Sequence, residues 1–143
     1  MRKLISTAMI VAVLATALVN LSSCEKDKGT LPNISFKTGT VGSVTYTSTD
    51  QHVNVGDILN VGINCSKSEG EDVVKTLNES LSINGGAATT VKNTTIPTAN
   101  EDSYNEDYLI TAAGASGNTL KYTWTVSNRD GLLNSVSLTL TVN

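Results

Sequence analysis

One histidine, His52, and two cysteines, Cys24 and Cys65, are the whole stock of imidazole and thiol in 143 residues. Hydrolytic chemistry needs a nucleophile beside a base or a facing pair of carboxylates, and metal catalysis needs convergent ligands. So thin a stock argues against an enzyme. No zinc spacing and no phosphate-cradling glycine loop occurs, so neither a metal nor a cofactor is expected. Aromatic rings make up only 4% of the chain, as Trp124, four tyrosines and Phe36, which leaves few flat faces for a sugar to stack on. Basic residues are outnumbered, 10 against 13 acidic. Nucleic acid, whose phosphates require a basic stripe, is therefore not an expected partner. No amphipathic helix pattern is present after the first 23 residues.

What is present is alternation. Leu120, Tyr122, Trp124 and Val126 share one face of a stretch whose other face is Lys121, Thr123, Thr125 and Ser127, and Val136, Leu138, Leu140 and Val142 repeat the pattern. A period of two marks half-buried strands. Asn128, Asp130 and Gly131 between them provide turn chemistry, so Leu120 to Val142 reads as a β-hairpin with Trp124 inside. Leu59, Val61, Ile63 and Cys65 form one face of a strand expected to be central. A cysteine ending such a face is a small core hydrophobe. Shorter alternations at Ile34 and Phe36, Val44 and Tyr46, and Leu77 to Ile83 bring the expected total to seven to eight strands. Ala88 to Val91 follows the Asn84-Gly85-Gly86 turn, and Tyr104 to Ile110 completes the set. Glu106 is the odd member of its face, expected either at a hydrated mouth or ahead of the strand proper. In the last strand, Ser135, Ser137, Thr139 and Thr141 carry no charge. If that strand were an edge it would be open to a partner strand, unless an early segment such as Val41 to Thr47 covers it.

The amino terminus has a different character. Arg2 and Lys3 precede an apolar run from about Leu4 to Val19, and small residues lead to Cys24, the layout of an export signal. The last four residues, Leu21-Ser22-Ser23-Cys24, resemble the lipobox of bacterial lipoproteins at every position. That resemblance implies acylation of Cys24, loss of residues 1-23 as a lipoprotein signal peptide (helical where it is built), and a membrane reached through lipid on Cys24. With Cys24 consumed, no internal disulfide can form. Removing Arg2 and Lys3 leaves eight basic residues against the 13 acidic ones, so the mature chain is more acidic still. Residues 24-32, polar until Leu31 and Pro32, read as a tether. The run Cys24-Glu25-Lys26-Asp27-Lys28 is similar to the start of many surface lipoproteins of Gram-negative anaerobes. It implies an outer membrane lipoprotein of the cell envelope, exposed on the surface ahead of facing the periplasm.

Residues 33-143 then form one domain of ordinary size. Val55-Gly56-Asp57 before a strand, Ile83-Asn84-Gly85 at a hairpin, and Tyr122 to Val126 running through Asp130-Gly131 into the last strand are similar to bacterial immunoglobulin-like domains. The fold class this implies is all-β, an immunoglobulin-like β-sandwich. The antibody-type cysteine pair is missing, so recognition loops are not carried over. Alternation turns Trp124, Tyr122, Tyr108 and Phe36 inward, which leaves Tyr46 and Tyr104 as candidate ligand contacts, or as packing near a sheet edge. Acidic clusters at Glu69, Glu71 and Asp72 and at Glu101, Asp102, Glu106 and Asp107 lack the spacing of a dedicated calcium loop and read as solvated charge. The function expected is non-enzymatic binding, adhesion or assembly with a protein or glycan partner. The alternative is a glycan-binding accessory lipoprotein of a surface uptake system.

Overall fold

The computed structural model describes residues 29–143; the expected signal peptide, residues 1-23, and Cys24 lie outside the described residues. Ten strands and one short 3-10 turn make up the described chain. In order they are β1 (Asn33–Phe36), β2 (Thr40–Val41), β3 (Val44–Thr45), β4 (Gln51–Val53), β5 (Ile58–Ser66), β6 (Val74–Ile83), β7 (Thr89–Thr95), β8 (Ser103–Thr111), β9 (Thr119–Asn128) and β10 (Leu133–Val142). The two-residue β2 and β3 and the three-residue β4 carry the count past the seven to eight expected. The fold is all-β, in three sheets.

Strands β1-β5-β8 form an antiparallel sheet with β5 at its centre. A second sheet runs β4-β10-β9-β6-β7, antiparallel except where β4 lies parallel to the end of β10. Alternation places Leu59, Val61, Ile63 and Cys65 from the first sheet against Leu120, Tyr122, Trp124, Val126, Leu138, Leu140 and Val142 from the second. The two sheets thus bury their apolar faces on each other. Trp124, 0% exposed, is the joint between them. Its ring meets Phe36 of β1 edge-on at 5.7 Å, Tyr108 of β8 at 5.6 Å, and lies nearly parallel to Tyr122 at 6.1 Å.

Local chemistry sets the turns. Asn84 (φ 51°) and Gly85 (φ 72°) both take positive φ, the requirement that an Asn-Gly pair meets at least cost. The four residues between β9 and β10 are closed by Asn128, whose Oδ1 accepts the Leu132 N–H at 2.7 Å. The last strand is covered on its outer side at its end only. Its final three residues pair with β4 rather than with the Val41 to Thr47 segment, and Asp50 Oδ1 accepts the Thr139 N–H at 2.7 Å.

The amino-terminal stretch of the described chain is fixed to the domain. Thr30 N–H donates to Asp72 Oδ2 at 3.3 Å and Thr30 O accepts from Asn128 Nδ2 at 3.1 Å. Ser68 donates to Leu31 O, Asn134 Nδ2 donates to Pro32 O at 2.8 Å, and Pro32 is fully buried.

Candidate binding surfaces

Where the sheets part on the β4 side, a cleft of about 330 Å³ opens between β4, the 45–47 segment and the start of β5. The 45–47 segment is held alongside β5 by a parallel bridge from Tyr46 to Asn60 and by Thr47 N–H donating to Asn60 O at 2.8 Å. The polar lining is Thr45, Thr47, Gln51, His52, Asp57 and Asn60. Three of these are spent on structure, Thr45 through a 2.9 Å hydroxyl contact with Thr40 Oγ1. Asp57 Oδ2 accepts the Asn54 N–H at 2.7 Å, and His52 Nδ1 sits 3.2 Å from Asn143 Oδ1. Among the described residues no side-chain hydrogen bond engages the amides of Gln51 and Asn60 or the hydroxyl of Thr47. Those groups can donate and accept toward a neutral polar ligand, and no nucleophile in the cleft is bonded to a base.

Tyr46 and Tyr104 are both half-buried and do not come together. They sit on opposite faces of β8. Tyr46 donates from its hydroxyl to Asp107 Oδ2 at 3.0 Å, and Lys37 Nζ lies 5.4 Å from its ring centre. The bond to the Asp107 carboxylate raises the Tyr46 pKa, while the Lys37 ammonium, 2.6 Å from Asp107 Oδ1, lowers that of Asp107. Lys37 reaches Asp107 by lying across Gly62, where an added Cβ would fall within 2.8 Å of Lys37 Cβ and Cγ. Tyr104 points inward and packs against the core. Burial, then the Glu106 charge, raises its pKa.

Glu106 is inward and within the strand, and it is neutralised rather than hydrated. Its side chain, 13% exposed, pairs with Lys92 of β7 and accepts from Thr94 Oγ1 at 3.2 Å and Tyr108 Oη at 3.0 Å. Glu79 of β6, inward on the facing sheet and 5% exposed, belongs to the same group; desolvation raises its pKa. The cluster bridges the two sheets on the side opposite the cleft. Cys65 is buried and its thiol is pushed up to about 11 by desolvation, the state of an unreactive core residue.

Asp72 corrects the reading of its cluster as solvated charge. It is 4% exposed and accepts Asn128 Nδ2 at 2.7 Å as well as Thr30 N–H, so it ties two loops and the amino-terminal stretch together. Among the described residues, no three His, Cys, Asp or Glu side chains converge in a way that would hold a metal.

No family model and no curated protein matches this chain. Among solved structures it is similar to the sporulation control protein Spo0M from Bacillus subtilis, with a TM-score of 0.50 and 7% identity over 80% of this chain and 50% of that one. A β-glucosidase from Listeria innocua, in complex with glucose, gives a TM-score of 0.43 and 8% identity over 77% of this chain and 16% of the enzyme. This chain thus spans half of Spo0M or less of these proteins. At such identities the likeness to Spo0M speaks to the fold alone.

Proposed function

We propose that the chain is a lipid-anchored protein of the cell envelope whose single immunoglobulin-like β-sandwich acts by binding or assembly rather than by catalysis. The observation that carries the binding role is the cleft beside β4, with its uncommitted Gln51, Asn60 and Thr47 side chains. The two facing sheets and the aromatic joint between them support the immunoglobulin-like reading. The Leu21-Ser22-Ser23-Cys24 sequence supports a lipid anchor, and the Cys24-Glu25-Lys26-Asp27-Lys28 run supports the outer membrane with the domain at the cell surface. Two measurements test the proposal. Mass spectrometry of the purified membrane form should show acyl chains on Cys24 and no residues 1-23, and Cys24→Ser should release the protein from membranes. An intact leader, or unchanged membrane association, refutes the anchor.

The second reading, a glycan-binding accessory protein, is favoured by the cleft lining itself, since neutral amides and hydroxyls match sugar hydroxyls better than they match anions. A glycan array probed with the soluble 25–143 chain, repeated with Gln51→Ala and Asn60→Ala, tests it. Binding that both substitutions weaken supports the reading; binding that neither affects places the ligand elsewhere.

A further inference from the structure

The strands run the length of the domain, so its two ends are chemically distinct. At one end Asn33, Ser66 and Ser103 lie in register in the first sheet and Val74 pairs with Asn128 in the second. Gly29 to Pro32 is bolted here, between the loop that carries Ser68 and Asp72 and the turn that carries Asn128 and Asn134. At the other end are Ile58 with Thr111, Ile83 with Leu120, and the Asp57 rim of the cleft.

We propose that the end holding Gly29 to Pro32 rests on the bilayer surface, with Leu31 and Leu133 entering the headgroup region, and that the Asp57 rim of the cleft is presented away from the membrane. This rests on the acylation of Cys24 proposed above. Only residues 25–28 separate Cys24 from Gly29, a reach of at most about 18 Å when fully extended. The ten-residue strands β6, β9 and β10 span roughly 33 Å. The bolted end must therefore stay near the lipid, while the far end is free to point away from it. Leu31 and Leu133, 51% and 59% exposed, belong to the bolted end, and large apolar side chains beside an acyl anchor add to membrane attachment. Glu69 and Glu71 are exposed on the adjoining loop, Lys67 pairs with Asp102, and Arg129 lies 3.7 Å from Asp130. This end therefore carries no positive excess, and the surface it fits is zwitterionic rather than anionic lipid.

The test uses the acylated full chain in phosphatidylcholine nanodiscs with brominated acyl chains. One fluorophore is attached at Gly70→Cys, near the bolted end, or at Ala87→Cys, at the far end. Cys65 is buried and Cys24 is blocked by lipid, so only the new thiol reacts. Quenching several-fold stronger at position 70 than at 87 is expected, and Leu31→Ser combined with Leu133→Ser should reduce it while the chain stays bound. Equal quenching at both positions of a bound, acylated chain overturns the orientation and leaves the anchor standing. A chain that carries no lipid and does not join the nanodiscs overturns both.

Discussion

Replacing Trp124 tests the central packing argument most directly. Trp124→Ala removes an indole that is 0% exposed and meets three other rings. Large aromatic truncations in a core cost about 3 to 5 kcal/mol, and losing favourable ring pairs adds up to about 1 kcal/mol each. One term runs the other way. The indole Nε1 is buried with no hydrogen-bond partner among the described residues, and such an orphan costs about 1 to 3 kcal/mol. Trp124→Phe sheds that penalty and keeps most of the ring, so it should fall within about 1.5 kcal/mol of wild type. Urea unfolding followed by far-UV circular dichroism measures both variants, since the only tryptophan is lost. For Trp124→Ala the midpoint should drop by roughly 2 M at an m-value of about 2 kcal/mol per M. A Trp124→Phe variant as unstable as Trp124→Ala would mean that the N–H is satisfied in solution, and the reasoning would fail.

Gly62→Ala should destabilise by about 1 to 3 kcal/mol, because its Cβ collides with the stem of Lys37. The penalty should shrink in a Lys37→Ala background, and an undiminished penalty in that double-mutant cycle would refute the cause. Glu79 has a raised folded pKa, so its contribution is present below the ordinary value of 4.5 and is lost as pH rises through the folded value. Glu79→Gln should therefore gain stability on wild type as pH rises above the ordinary carboxylate range, and parallel pH profiles would contradict this. Asp72→Ala strands the Thr30 N–H and should cost about 2 kcal/mol; hydrogen exchange at Thr30 should accelerate, and unchanged protection there would count against the tie.

Strands with unbroken alternation were legible in the sequence because period two needs no tertiary information. β5, β9 and β10 are of this kind, with Leu59 to Cys65 and Leu120 to Val126 buried on the expected face. β6 was legible only in part. Leu77 is inward as expected, but Glu79 shares its face and Ile83 is 49% exposed at the strand end, so charge and apolarity there do not report direction. β7 reaches Thr95 rather than Val91, since a Thr-rich, Lys-bearing edge strand gives little apolar signal. The candidate surfaces were least visible. Thr45, His52 and Asn60 belong to three segments that meet only because β4 joins one sheet and the 45–47 segment joins the other. Asp72 reads as a loop acid until Asn128, 56 positions away, is placed against it.

Edge strands explain why the odd charges lie where they do. A sheet edge exposes unpaired backbone groups, and an inward-pointing charge, a bulge or a side-chain cap discourages foreign strands from pairing with it. β7 and β8 are edges on the same side, and each turns a charge inward, Lys92 on β7 and Glu106 on β8, which neutralise each other across the gap. β7 also carries a register shift against β6 at Glu79 and Ser80, the kind of bulge that twists an edge away from a flat partner. On the opposite side, Asn134 Oδ1 accepts the Ser135 N–H at 2.9 Å, Asp50 Oδ1 accepts the Thr139 N–H, and β4 pairs with Leu140 to Val142. Glu106 therefore looked misplaced on an apolar face only because its partner lies on the other sheet. Inward charges and a bulge thus discourage pairing at β7 and β8, while in the cleft beside β4 the Gln51, Asn60 and Thr47 side chains are not spent on the fold.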